Sequence, residues 1–165
     1  MSERIGLLLD QMDATRRYTH LVLDHVPGER WYDMPADVGS HVAWQVGHIT
    51  WAQAKLLVSG VCGRERCDVL PEAYGGWFGK GTSPAAREPA HPTPEALRTT
   101  LDAVQACAAE ALAGLDDAVL DEPATHATGL IHDKWGLAMW SVRHEMLHIG
   151  QVGLIRRALG MEPYR

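Results

Sequence analysis

Residues 134–159 read as one long helix that is apolar on nearly every side. With His144 at zero and 100° per residue, His148 falls at about 40°, and Leu137, Trp140, Leu147, Gln151 and Ile155 lie within roughly 60° of that direction. By the same step, Trp135, Met139, Val142, Met146, Ile149 and Gly153 fall on the opposite side. A helix of this kind must be covered on both sides. One side requires a core built from other helices. The other would be an exposed apolar patch of the kind monomers avoid, and a second copy related by a twofold axis covers such a patch with itself. The expectations are a helix bundle and a homodimer through this last helix. Tyr74, Trp77 and Phe78, in a long loop, are the competing cover.

The rest of the chain supplies the other helices. Glu3 to about His25 places Ile5, Leu8, Leu9, Met12, Leu23 and Val26 on one face, with Arg16 and Thr19 as polar gaps and Ser2 as a possible cap. A second helix opens near Ser40, a fair N-cap, and runs to about Val58, where Gly60 stops it. A third runs from about Pro94 to Leu115, with Thr93 as N-cap, Pro94 at the first position and Glu95 in the first turn. Between the second and third helices, residues 60–94 are rich in Gly and Pro but carry the three loop aromatics, which reads either as a lid or as a packed surface excursion. No stretch alternates convincingly as a strand. The pattern predicts an all-α four-helix bundle with one long crossover between helices 2 and 3, as a single domain over residues 1–165.

Composition narrows the function classes. Twenty-one acidic against fifteen basic residues give a formal charge of −6, which argues against a protein that holds nucleic acid by its phosphates. Cys62, Cys67 and Cys107 are an odd number without paired CxxC spacing, so a reducing, cytoplasmic setting is expected rather than a disulfide framework or zinc ribbon. The acid-flanked N-terminal stretch is not a signal peptide, and no apolar run approaches the roughly 18 residues of a membrane span. The expected partners are small molecules and a second copy, with neither nucleic acid nor membrane.

Nine histidines are the unusual entry in the composition. His144 and His148 stack at i, i+4 toward the expected core, a standard way to present two nitrogens to one metal ion. His48 lies mid-helix between Trp44 and Trp51; alone it reads more readily as a structural histidine than as a ligand. Facing the pair, it completes a three-nitrogen site, and three protein ligands leave a position open for water or substrate. His41, two turns earlier at the helix start, reads as partly exposed or as a pocket residue. His20, His25, His91, His126 and His132 have no visible partners. A rival reading uses the same residues: His144-Glu145-Met146-Leu147-His148 is literally HExxH, with Glu145 as general base of a zinc protease. That reading lacks a third ligand beyond the helix other than Glu162 and lacks an edge strand. Otherwise Glu145 is a solvated or interface carboxylate, paired with Arg143 or Arg156.

VGSHVAWQVGHITWAQ at 38–53 and SVRHEMLHIGQVGLIRRALG at 141–160 resemble the DinB/YfiT-like metalloenzyme family. The resemblance implies a four-helix bundle, usually homodimeric, in which His48, His144 and His148 bind one divalent metal, with zinc and nickel foremost. Characterised relatives use low-molecular-weight thiols as cosubstrates, among them bacillithiol and mycothiol. In that reading the ion sits in a pocket lined by Trp44, Trp51 and Trp140, a coordinated thiol loses its proton, and the apolar walls hold an electrophile. Gln151, near one turn beyond His148, is the candidate for orienting a ligand, or else makes a helix–helix hydrogen bond. A metal that merely braces a dimeric bundle and a metal-dependent hydrolase of a small molecule are the alternatives.

Overall fold

The computed structural model describes residues 2–65 and 67–162, except for the side chains of 126–128. Four long helices form the bundle: α1 (Glu3–Leu23), α2 (Val42–Gln53, continuing as a π-helix over Ala54–Val61), α4 (Pro94–Ala113) and α5 (Lys134–Ala158). The expected all-α bundle with its long second crossover is thus the observed fold. Helix α1 packs on α4 and α5, and α2 packs on the same two from the other side. The crossover holds a one-turn helix, α3 (Tyr74–Phe78), which packs on α2. A small antiparallel hairpin, β1 (Pro123–Thr128) and β2 (Ile131–Asp133), precedes α5 and was not legible as alternation. No helix among the described residues is long and apolar enough to cross a membrane.

Local chemistry sets the ends. Thr93 caps α4 by accepting from the Ala96 N–H, with Pro94 at the first position, as the sequence indicates. Asp133 caps α5 through the Gly136 N–H. The cap of α2 is His41 rather than Ser40: its Nδ1 accepts from the Trp44 N–H at 3.0 Å, while the Ser40 hydroxyl accepts from Gln45. Ser2 stands at the N-cap of α1 but makes no side-chain cap; its hydroxyl donates to Asp117. Gly60 does not stop the second helix. It lies inside the π segment, where a Cβ would fall 2.6 Å from the Leu137 side chain, so glycine here permits close approach to α5.

The core is split into two apolar clusters. One gathers Ile5, Leu8, Met12, Leu57, Val104 and Leu137; the other gathers Val22, Trp31, Ile49, Leu97, Ile149 and Val152. Between them lies a polar layer centred on Arg16, only 4% exposed. Its guanidinium forks onto Glu145 of α5, with Nε to Oε1 at 3.0 Å and Nη2 to Oε2 at 3.2 Å. It also donates to the Gln53 amide oxygen of α2 at 3.1 Å and to the Leu101 carbonyl of α4 at 2.8 Å. The Thr19 hydroxyl closes the set on Glu145 at 2.6 Å. One arginine therefore binds all three other helices, and the two polar gaps in the α1 stripe are core residues.

This layer corrects the expected rotation of α5. Its buried residues, including Ala138, Ser141, Glu145, Ile149, Val152 and Arg156, centre on the Glu145 direction. The histidines lie on one flank of that arc, Leu147 is 57% exposed and Gln151 is exposed. Val142 and Ile149, expected on the outward face, belong to the core. The cause is the Arg16 charge, which needs a carboxylate partner inside the bundle. Glu145 pairs with neither Arg143 nor Arg156; the Arg156 guanidinium instead donates to the His25 and Glu162 carbonyls.

Removing one partner of a buried ion pair leaves the other charge stranded, at a cost of about 3–5 kcal/mol, whereas replacing both by apolar residues is often neutral. Arg16→Met and Glu145→Leu singly are therefore expected each to lower stability by that order, and the double variant by much less. Urea unfolding of the four proteins measures the coupling; additive losses would contradict the central role of the pair.

Candidate metal centre

The site lies between α2 and α5. His48, on the middle of α2, is 9% exposed. Trp44, four residues before it, stacks on its ring at 4.8 Å and 6°, and Trp51, three residues after, stacks at 5.8 Å and 29°. The imidazole is thus held between two indoles by the helical repeat alone. The rings of His144 and His148 lie 5.2 and 4.7 Å from it, and Trp140 lies 6.1 Å from His144. Each tryptophan also lines a separate depression, none of them lined by the three histidines: Trp51 a cavity of about 280 Å³, Trp140 an open groove of about 750 Å³ and Trp44 one of about 90 Å³.

The nitrogens converge. Nε2 of His144 and Nε2 of His148 are 3.2 Å apart, and one nitrogen from each of the three rings lies within 4.8 Å of the others. Two metal–nitrogen bonds of roughly 2.0–2.1 Å at octahedral or tetrahedral angles put ligand nitrogens about 2.8–3.4 Å apart. The His144–His148 pair meets that spacing as it stands. Three histidines are positioned to bind a metal ion, and among the described residues no further histidine, cysteine or carboxylate joins them.

Hydrogen bonds behind the rings fix which nitrogen faces inward. His48 Nδ1 donates to the Phe78 carbonyl at 2.6 Å. His148 Nδ1 donates to Gln45 Oε1 at 2.5 Å, and Gln45 in turn donates to Ser40. Each bond places the proton on Nδ1 and leaves the Nε2 lone pair for a cation, the usual arrangement behind metal-ligating histidines. Burial lowers the pKa of all three imidazoles. His148 falls to about 3, helped by its histidine neighbours, and His144 to about 4, with the His48 ring adding to burial and Glu145 opposing. His48 is lowered by burial against the opposing Phe78 carbonyl. All three are neutral at pH 7, the state that ligates.

Glu145 does not face this cluster. Both of its oxygens are taken by Arg16 and Thr19, so it is not a general base and the HExxH protease reading fails on geometry. Gln151 is exposed and lies beside His148, one turn further along α5. His41 is buried, its Nε2 donating to the Ala85 carbonyl, and it caps α2 rather than entering the site. His20 meets Asp102 at 2.9 Å, His25 the Leu21 carbonyl and His91 the Glu88 N–H. His132 is exposed, and the side chain of His126 lies outside the described residues.

The crossover is part of the site. Tyr74 and Phe78 are each 2% exposed, so these aromatics are core rather than a loose lid, and they cover α2 rather than the outer face of α5. The Phe78 ring occupies the space over Gly47, where a Cβ would fall 2.4 Å from it. Glycine beside His48 therefore lets the crossover bring its carbonyl to the imidazole. Gln45, Gly47 and Phe78 were missed from sequence. An amide three residues before the central histidine is the available signal for Gln45.

Comparison with protein families agrees with this geometry: the family model of the DinB superfamily matches residues 11–152, which include all three histidines. No curated protein matches the chain.

Loss of a partner behind a ligating histidine typically weakens metal binding 10–100-fold. Gln45→Leu is expected to lower zinc affinity by that factor with helical content unchanged, measured by competition with a chromophoric chelator. Unchanged affinity would remove Gln45 from the site.

Proposed function

The chain belongs to the DinB superfamily, and on that premise we propose that it is a metal-dependent transferase that joins a small thiol to an electrophile, with His48, His144 and His148 holding one divalent ion, zinc or nickel. The observation that carries this reading is the donor set. Three neutral imidazoles come from two helices, and no fourth protein donor closes the group among the described residues. Structural zinc sites are closed by four protein ligands, whereas catalytic ones keep a position open. A divalent ion held here would supply a Lewis acid that lowers the pKa of a coordinating thiol.

The side chains do the rest. Gln45 and the Phe78 carbonyl hold two rings with their lone pairs inward. Trp44 and Trp51 brace His48 from both faces and keep water from that side. Trp140, beside His144, offers apolar surface to an electrophile. Gln151, exposed next to His148, would hydrogen-bond a substrate bound there. The engagement of Glu145 with Arg16 counts against a hydrolase of the HExxH kind. The odd number of cysteines fits a cytoplasmic setting.

The zinc- or nickel-loaded protein is expected to conjugate at least one of glutathione, mycothiol and bacillithiol to a generic electrophile. His144→Ala should abolish turnover while circular dichroism still reports a helical fold. No binding or turnover with any of the three thiols would overturn the transferase reading and favour an ion that only braces the bundle.

The proposed protein partner is a second copy. Met146, Leu147 and Leu154 of α5 and Leu7 and Leu21 of α1 are 42–57% exposed. The groove between these helices is lined by Ala14, Tyr18, Trp140, Val142 and Met146. A twofold dimer would cover this surface from both sides. Sedimentation at micromolar concentration should give a dimer that Met146→Arg weakens; a monomer of 18.1 kDa would contradict it.

A further inference from the structure

The crossover and α4 bring together a pair of thiols that the histidine site does not use. In sequence Cys67 is nearest Cys62, but in space its Sγ lies 3.6 Å from Sγ of Cys107, in the middle of α4. All three cysteines are free thiols. A disulfide bond is about 2.05 Å long, so the two sulfurs need to close by only about 1.5 Å, a movement within reach of side-chain rotation. Cys62 makes no hydrogen bond to either sulfur among the described residues.

Access comes from the cavity beyond Trp51. It is lined by Lys55, Ser59, Glu65, Cys67 and Glu72, and measures about 280 Å³. Cys67 is 8% exposed, so bulk reagents do not reach it. A molecule little larger than water, whose share of liquid volume is about 30 Å³, fits this space.

We propose that Cys67, in the lining of this cavity, and Cys107 beside it form an oxidisable dithiol, a modification site at which hydrogen peroxide converts the pair to an intramolecular disulfide. In the first step the Cys67 thiol gives up its proton and its sulfur attacks one peroxide oxygen. The O–O bond breaks, the departing hydroxide takes the proton and leaves as water, and Cys67 becomes a sulfenic acid. In the second step the Cys107 sulfur attacks the Cys67 sulfur. The displaced hydroxide takes the Cys107 proton and leaves as a second water. Two electrons pass from the two sulfurs to one peroxide. Burial holds the Cys67 thiol up, at about 11, so little of it is thiolate at neutral pH and the first attack is slow. The dithiol answers sustained oxidant rather than traces. The bond would tie the crossover to α4 eleven residues before Phe78, whose carbonyl holds His48.

The test exposes the native chain to millimolar hydrogen peroxide, then unfolds it, alkylates it and maps its peptides without reduction. The expected result is one cross-link within a chain, between Cys67 and Cys107, with Cys62 recovered alkylated. In Cys62→Ser the same cross-link should form. In Cys107→Ser the cross-link should vanish, and dimedone added as the oxidised chain is unfolded should trap a sulfenic acid on Cys67; Cys107→Ala serves if the serine variant does not fold. A cross-link through Cys62, a link between chains, or three free thiols under conditions that oxidise the unfolded chain would overturn the proposal.

Discussion

The buried ion pair between Arg16 and Glu145 is the interaction on which the rest of the bundle depends. A guanidinium placed in an apolar interior is tolerated only when its donors are satisfied. Here the satisfying groups come from α2, α4 and α5, so the pair fixes how those helices are rotated and staggered against α1. With Glu145 turned to the centre, His144 and His148 are carried to the edge of the α5 interface, opposite His48. Glu145 of the charge pair and His144 of the histidine pair are adjacent residues of α5, so one turns to the centre while the other lies on its flank. A bundle without the polar layer could slide or rotate α5 at little cost in apolar contact, and the nitrogens would lose their common focus.

The second constraint is orientation. Three histidines near one another are not yet a ligand set, because a neutral imidazole has one donor and one acceptor nitrogen. The Phe78 carbonyl and the Gln45 amide decide the matter for two of the rings by occupying Nδ1. Phe78 reaches His48 only because Gly47 has no Cβ and because the crossover buries Tyr74 and Phe78 against α2. The stretch of the crossover around Phe78 therefore belongs to the site.

Much of this was legible in the sequence. The four helices, the strong start of α4, the long crossover and the His144–His148 pair follow from periodicity, capping residues and i, i+4 spacing, and His48 joins the pair through the facing of two helices and the family resemblance. The rotation of α5 did not follow, since a helix apolar on every side has no preferred face until its neighbours are known. Arg16 and Thr19 read as gaps because a polar residue in a stripe is outward by default; only the tertiary structure supplies Glu145 as its partner. The cap by His41 and the glycine contacts of residues 47 and 60 depend on close approach between elements distant in sequence, which local pattern does not encode.

The central claim is that one divalent ion binds through His48, His144 and His148. X-ray absorption fine structure of the zinc-loaded protein tests it directly. The predicted spectrum has nitrogen or oxygen scatterers at about 2.0–2.1 Å, with the outer-shell pattern of three imidazole rings. A sulfur shell near 2.3 Å, the distance of a zinc–cysteine bond, in protein free of added thiol would place the metal elsewhere and contradict the claim, as would a spectrum without imidazole scattering.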